Sequence, residues 1–321
     1  MNQILVCLSA LHPIHQTEIA QAASALGYSV CFCNEAQALA VAPQAQILLT
    51  ASLPVIRAAS HAQWVCVPSA GVEAYCASEL YASPDTLLTS SSGAYGVTIA
   101  EHIIMVTLEM MRRRTEYLAL VNQRKWQRDL PIRSLHGSRI TLVGTGNIGQ
   151  ETARRLRAFS PACICGINRS GRNPEHLMDR VLTLASPDLR SCLAETDLLI
   201  LSLPATTETE NWLNAERLQW LPSDAYLVNV GRGSTIDQET LIRLMKEGHL
   251  AGAALDVFAT EPLPPDDPIW ETPRVLVTPH CSGNMTLPYT VDTIVRQFLE
   301  NLERFSQGLP LRHLVSRSLG Y

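Results

Sequence analysis

Between Ile140 and Asn168 the chain passes through an apolar stretch (Ile140, Thr141, Leu142, Val143), then Gly144-Thr145-Gly146-Asn147-Ile148-Gly149, then a helical pattern, then a second apolar stretch ending at Asn168. A bare G-x-G-x-x-G arises by chance in any long sequence, but one that leaves a strand and opens a helix constrains the fold sharply. Gly144 supplies the tight turn, Gly146 lets backbone approach a pyrophosphate, and Gly149 lets the helix pack close to the sheet. Ala153, Leu156 and Phe159 recur at helical spacing and form an apolar face, while Glu151, Arg154, Arg155 and Arg157 face water. Unpaired N–H groups at the start of that helix then point at phosphates. The segment reads as a dinucleotide-binding βαβ unit, with Gly144, Gly146, Asn147, Ile148 and Gly149 as candidate cofactor contacts.

The acidic residue that usually closes this motif, about 20 residues on, hydrogen-bonds the ribose hydroxyls of NAD. Here that position holds Asn168, followed by Arg169, Ser170, Gly171 and Arg172. Two cations and a hydroxyl suit a 2′-phosphate better than a bare ribose, because guanidinium groups bind phosphate oxygens in pairs. The expected cofactor is NADP, with NAD possible, and Asn168, Arg169 and Ser170 join the candidate contacts.

A chain of 321 residues suits two domains. A net charge of −5 offers no broad basic surface for nucleic acid or anionic membrane, so neither is an expected partner. No apolar run is long enough to span a bilayer, and Met1-Asn2-Gln3-Ile4-Leu5-Val6 lacks a basic leader, which points to a cytoplasmic protein. The nine cysteines are odd in number and scattered through strand-like runs such as Cys31-x-Cys33 and Cys163-x-Cys165, so most are expected to be reduced core residues and no metal site is expected.

Up to Thr89, strand-like runs (Ile4 to Leu8, Val30 to Cys33, Ile47 to Thr50, Trp64 to Val67, Leu87 to Thr89) alternate with helical spacing, as in a doubly wound parallel sheet. A long helical stretch from Val97 to about Leu120 leads into a basic, Pro-containing segment (Gln123 to Arg133). A second series supplies six strands: Ile140 to Val143, Cys163 to Ile167, Leu198 to Leu201, Tyr226 to Asn229, Ala253 to Asp256 and Val275 to Val277. The fold class expected is α/β: a Rossmann dinucleotide-binding domain (102–286) and a smaller flavodoxin-like substrate domain (1–101, completed by 287–321), with a cleft between them. A C-terminal helix from roughly Leu287 to Phe305 returns to the first domain.

Three ionisable residues stand where strands of the second series end: Arg232 in Asn229-Val230-Gly231-Arg232-Gly233-Ser234, Glu261 in the run from Asp256 to Pro262, and His280 after Thr278-Pro279. With these, the order Gly-x-Gly-x-Ile-Gly, Asn-Val-Gly-Arg-Gly, Ala-Leu-Asp-Val-Phe-x-x-Glu-Pro-Leu-Pro and Thr-Pro-His resembles the D-isomer-specific 2-hydroxyacid dehydrogenases, which include glyoxylate/hydroxypyruvate reductases. In the first domain Pro68-Ser69-Ala70-Gly71-Val72-Glu73 looks like the family's substrate-carboxylate loop, and Ile99-Ala100-Glu101-His102 like the start of its interdomain helix.

The chemistry agrees. A 2-oxo acid needs a cation for its carboxylate and for the oxygen that gains charge as hydride arrives, which Arg232 supplies. It also needs an acid: His280 has the right ordinary pKa, and a neighbouring Glu261 favours imidazolium. Amides near Gly71 and Val72 hold the carboxylate, so substrate contacts are Gly71, Val72, Arg232 and His280, and the catalytic residues are Arg232, Glu261 and His280. By resemblance, Asp256 orients the nicotinamide carboxamide, Pro204 and Val230 contact the cofactor, and the chain forms a homodimer.

The expected function is hydride transfer from NADPH to a small 2-oxo acid. Alternatives are a phosphite- or formate-type anion dehydrogenase, or a nucleotide-sensing interaction protein. Thr278 and Pro279 precede His280 where formate enzymes of this scaffold carry Gln, and the three intact ionisable residues favour an enzyme. Glu101 and His102 read as interdomain hydrogen-bond partners. Trp126 reads as a linker anchor or a substrate-side contact, and Cys281-Ser282 departs from the family's small apolar pair.

Overall fold

A computed structural model of the chain describes residues 3–318. The chain divides into two compact units, Met1–Tyr95 with Asn284–Tyr321, and Gly96–Gly283.

The first unit carries strands β1 (Gln3–Cys7), β2 (Ser29–Phe32), β3 (Ile47–Thr50), β4 (Trp64–Cys66) and β5 (Leu87–Thr89), in the order β2-β1-β3-β4-β5. All neighbours are parallel, as in flavodoxin-like sheets. Leu5, Leu48, Val65 and Leu88 from adjacent strands share one buried cluster. Trp64 stacks on Phe298 of the Pro288–Ser306 helix with ring centroids 5.2 Å apart, and its indole N–H donates to Thr89 Oγ1 at 2.8 Å. A buried indole thus keeps its one donor satisfied while its ring fixes the C-terminal helix.

The second unit carries β6 (Arg139–Val143), β7 (Cys163–Asn168), β8 (Arg180–Thr183), β9 (Leu198–Leu201), β10 (Tyr226–Asn229), β11 (Gly252–Leu255) and β12 (Val275–Val277). They pair in parallel in the order β12-β11-β10-β9-β6-β7-β8, the doubly wound dinucleotide-binding order with one more strand. Central strands such as Leu198-Leu199-Ile200-Leu201 are apolar throughout because both faces are covered. The register is what positions a site. Val143 lies level with Ile167 and Leu201, Leu201 with Asn229, Asn229 with Leu255, and Leu255 with Val277. The loops after these six strands therefore start from one edge.

The structure departs from the sequence expectation twice. β8 is a seventh strand, hidden in the sequence because an edge strand of four half-exposed residues (Arg-Val-Leu-Thr) has no continuous apolar run. The stretch from Val97 to Leu120 is not one helix but two, Gly96–Met111 and Arg114–Asn122. The first packs on the Asn147–Leu156 helix, where a Cβ on Gly96 would meet Asn147 and Glu151, and it buries Ile103, Val106 and Met111. Arg113 then adopts a left-handed conformation (φ 54°), and the Arg133 N–H caps the Met111 carbonyl at 2.8 Å. Arg113 pairs with Glu116 at 2.9 Å, so the Arg112-Arg113-Arg114 run marks the break between the two helices.

All nine cysteines are free thiols, and Cys281 alone among them is exposed. Among the described residues no helix is long and apolar enough to cross a membrane, and no three His, Cys, Asp or Glu side chains form a metal cluster.

Candidate active site

Gly144 leaves β6 with φ +94°, and its carbonyl accepts from Ser202 Oγ at 2.9 Å. A Cβ on Gly149 would stand 2.3 Å from that same carbonyl oxygen, so only glycine permits the helix to start this close to the strand. Gly146, the N-cap of the Asn147–Leu156 helix, faces open space, as backbone that receives a phosphate must. Gln150 ties the turn from behind by donating to the Thr145 carbonyl at 3.0 Å.

Asn168, at the end of β7, uses both ends of its amide. Nδ2 donates to Thr145 Oγ1 at 2.6 Å and to the Arg172 carbonyl at 2.9 Å, while Oδ1 accepts the Gly171 N–H at 2.6 Å. A carboxylate could not make the two donor contacts. Asn168 thereby fixes the loop that carries the exposed Arg169, Ser170 and Arg172 beside the glycine turn. A cradle with bare backbone at Gly146 and a cationic loop next to it fits a phosphorylated dinucleotide.

After β10, Asn229 is 1% exposed and holds the Arg232 loop: Nδ2 donates to the Arg232 carbonyl at 3.0 Å and Oδ1 accepts the Gly231 N–H at 3.1 Å. Gly233 lets this loop lie against the next one, since a Cβ there would stand 1.9 Å from the Phe258 carbonyl carbon. The Arg232 guanidinium is half-buried and donates to the Gly231 carbonyl at 2.8 Å. Sequence reasoning does not single out Asn229; a polar residue ending an apolar strand before a charged loop is the signal that marks it.

His280 also has a left-handed backbone, φ 51°, a state that costs a non-glycine residue about 1 kcal/mol or more unless its surroundings impose it. They do. Its N–H donates to the Asp256 carbonyl at 2.9 Å. The Asp256 side chain accepts the next two amides, Cys281 N–H at Oδ1 and Ser282 N–H at Oδ2, both at 3.0 Å, and the Thr278 hydroxyl at 2.5 Å. So held, His280 Nδ1 lies 2.7 Å from Glu261 Oε2, while Glu261 Oε1 accepts the Phe258 N–H at 2.8 Å. The carboxylate is therefore fixed at one oxygen and orients the imidazole with the other. Because Glu261 can only accept, Nδ1 carries the proton of this contact and Nε2 is the ring nitrogen not held by Glu261.

Arg232, Glu261 and His280 thus stand on loops from the same edge of one sheet, with Gly144–Gly149, Asn168–Ser170, Pro204, Val230 and Asp256 on the loops of neighbouring strands. Gly71 and Val72 belong to the first unit, after β4, where Ser69 Oγ donates to the Gly71 carbonyl at 2.7 Å and Val72 is buried. His102 reads from sequence as an interdomain partner, but its Nε2 lies 3.4 Å from Thr278 Oγ1 of its own unit, and burial holds its pKa below the ordinary value despite the negative charge of Asp256. Glu101 is exposed on the same helix, and Trp126 is 96% exposed.

The family model described as "D-isomer specific 2-hydroxyacid dehydrogenase, NAD binding domain" matches residues 104–282. Glyoxylate/hydroxypyruvate reductase A of Salmonella choleraesuis is 33% identical over 265 residues, 80% of this chain and 81% of that protein. Among solved structures, a D-isomer specific 2-hydroxyacid dehydrogenase family protein from Aeromonas salmonicida has a TM-score of 0.87 and 30% identity over 98% of this chain and 99% of that one. An NADPH-dependent glyoxylate/hydroxypyruvate reductase from Sinorhizobium meliloti, in complex with NADP and sulfate, has a TM-score of 0.80 and 26% identity over the whole of both chains. The glycine turn, the strand-end loops and these likenesses agree: the chain belongs to the D-isomer specific 2-hydroxyacid dehydrogenase family of NAD(P)-dependent oxidoreductases.

Proposed function

We propose that this protein reduces glyoxylate, hydroxypyruvate or a similar small 2-oxo acid to the D-2-hydroxy acid with NADPH. The observation that carries this reading is the His280–Glu261 pair, 2.7 Å apart beside a loop bearing a half-buried Arg232, on the same sheet as a dinucleotide turn. Bound NADPH supplies the hydride. Arg232 binds the substrate carboxylate and the carbonyl oxygen as it gains negative charge. His280, protonated at Nε2 and held by Glu261 at Nδ1, gives that oxygen its proton; in the reverse direction the neutral ring takes it back. The amides of Gly71 and Val72 are assigned to the carboxylate by resemblance.

NADPH is preferred over NADH because Asn168 stands where the acidic residue usually does and holds the loop that carries Arg169, Ser170 and Arg172. The relatives' names support both the cofactor and the substrates.

The test is loss of NADPH absorbance with each 2-oxo acid, and the reverse reaction with D- and L-glycerate. His280→Ala should lower kcat by about 10²- to 10⁴-fold while NADPH still binds. Full activity in that variant, or oxidation of L-glycerate, overturns the mechanism or the stereochemistry respectively.

The protein acts in the cytoplasm as a homodimer. Met105, Val121, Trp126 and Ile132, all between residues 105 and 132, are large apolar side chains left exposed, and burying them against a second copy would be favourable. A sedimentation mass of one chain would refute the dimer.

A further inference from the structure

Behind the His280 turn lies a line of side chains for which the proton transfer itself has no use. Asp256 is 1% exposed, and its carboxylate takes the Cys281 and Ser282 amides and the Thr278 hydroxyl. The Thr278 hydroxyl has one proton, and the 2.5 Å contact commits it to Asp256 Oδ1. Toward His102, 3.4 Å away, Thr278 Oγ1 can then only accept, which makes Nε2–H the donor and fixes the tautomer of His102. Four donors therefore act along the line: His102 on Thr278, Thr278 and the Cys281 amide on Asp256 Oδ1, and the Ser282 amide on Oδ2. Each link lies within the second unit.

We propose that His102 is a positioning residue for His280. Its N–H holds the Thr278 oxygen so that the hydroxyl proton stays on Asp256, and the carboxylate so oriented clamps the two amides that follow His280 and keep its left-handed backbone in place. The Gly96–Met111 helix thereby sets the aim of the acid through Thr278 and Asp256 and not by a contact of its own with His280. The inference rests on the reading of His280 as the proton donor. A neutral, half-buried imidazole suits this role, since burial holds the His102 pKa below its ordinary value and the ring stays a donor at Nε2 without bringing a charge to Asp256.

The experiment compares His102→Leu, His102→Gln, Thr278→Val and Thr278→Ser in the full chain. Steady-state kcat and the KM for NADPH are measured, together with amide hydrogen exchange of a peptide covering 280–283. Loss of the donor or of the hydroxyl should lower kcat about tenfold, as small misplacements of a catalytic group do, with the KM for NADPH little changed. Exchange of the turn should quicken in the same two variants. Gln keeps an N–H near the Nε2 position and Ser keeps the hydroxyl, so both should recover most of kcat and of the protection. Wild-type kcat in His102→Leu, or equal losses in His102→Leu and His102→Gln, overturns the proposal. Should His102→Leu fail to fold, His102→Asn takes its place: its shorter amide does not reach the Thr278 oxygen, so kcat and protection should fall below those of His102→Gln, and equal values in the two overturn the proposal. If the wild-type protein reduces no 2-oxo acid, the functional reading has failed, and the exchange rates alone decide whether His102 supports the turn.

Discussion

After β6 the chain turns on glycine and bare backbone, whereas after β12 it turns around a buried carboxylate. In the first region side chains are excluded: Gly149 has room for none, and Gly146 leaves open space where a phosphate would sit. In the second, side chains impose the shape: Asp256 accepts two amides and a hydroxyl, and His280 keeps a left-handed backbone against its own preference. A cofactor common to many enzymes is received by backbone, which any sequence with the right glycines can offer. On the proposed function His280 must be aimed to within a fraction of an ångström, and the side chains that hold it come from the loops after β11 and β12.

Asp256→Asn should produce the largest effect, because an amide can accept at one position only and would turn N–H toward N–H at the other. Leaving a buried donor unsatisfied costs about 1–3 kcal/mol, and the loosened turn should lower kcat about 100-fold. Denaturant unfolding and steady-state kinetics measure the two parts. Normal kcat in a folded Asp256→Asn protein would mean that the turn keeps its shape without the clamp, and the contrast between the regions would collapse. Gly149→Ala tests the other side. Its methyl must push the Gly144 carbonyl away, an overpacking cost of about 1–3 kcal/mol. The loss should show in NADPH affinity, while kcat at saturating cofactor is largely kept.

A smaller change sharpens the reading of the cationic loop. Asn168→Asp loses the donors to Thr145 and Arg172 and places a negative charge beside the loop proposed to take the 2′-phosphate. The ratio of kcat/KM for NADPH to that for NADH should drop about tenfold, equivalent to roughly 1.4 kcal/mol. An unchanged ratio would show that Arg169 and Arg172 do not select the cofactor.

The same contrast explains what can be read from the sequence. The glycine turn is local, six residues between two apolar runs, and its fold follows from where only glycine fits. The inner strands of both sheets are legible because parallel strands covered on both faces are apolar throughout. β8 is not, since an edge strand of mixed character has no such signature. The helix break at Arg113 depends on a cap from the distant Arg133, which no local pattern encodes. Arg232, Glu261 and His280 can be found as types in an order, but the means of aiming them cannot. Asn229 and Thr278 are ordinary polar residues in sequence; they gain their contacts only where the register brings the strand ends level, and His102 reaches Thr278 from a helix that no register pattern places. Asp256 is assigned to the nicotinamide by resemblance, and its contacts add a second role, shaping the turn that follows β12.

The two regions also differ in what acid should do to them, and this is the smallest effect expected. The hydrogen bonds around the glycine turn involve Thr145, Gln150, Asn168 and Ser202, none of which titrates. The line behind His280 contains His102, whose pKa is lowered from the ordinary 6.5 by burial, with the negative charge of Asp256 opposing the shift. The unfolded chain therefore takes up this proton at a higher pH than the folded one. Folded stability from this group is complete above about pH 6.5 and declines as pH falls through that value toward the lower folded pKa. The thermal midpoint should fall between about pH 7.5 and about pH 5.5 in the wild-type protein, and by less in His102→Gln. His313, also lowered by burial, contributes equally to both proteins and cancels in the comparison. Parallel declines in the two proteins would show that His102 does not carry the proton that loosens this side of the site. A shallower decline in His102→Gln would place the acid sensitivity of the fold at the turn that holds His280, apart from the glycine turn that receives the cofactor.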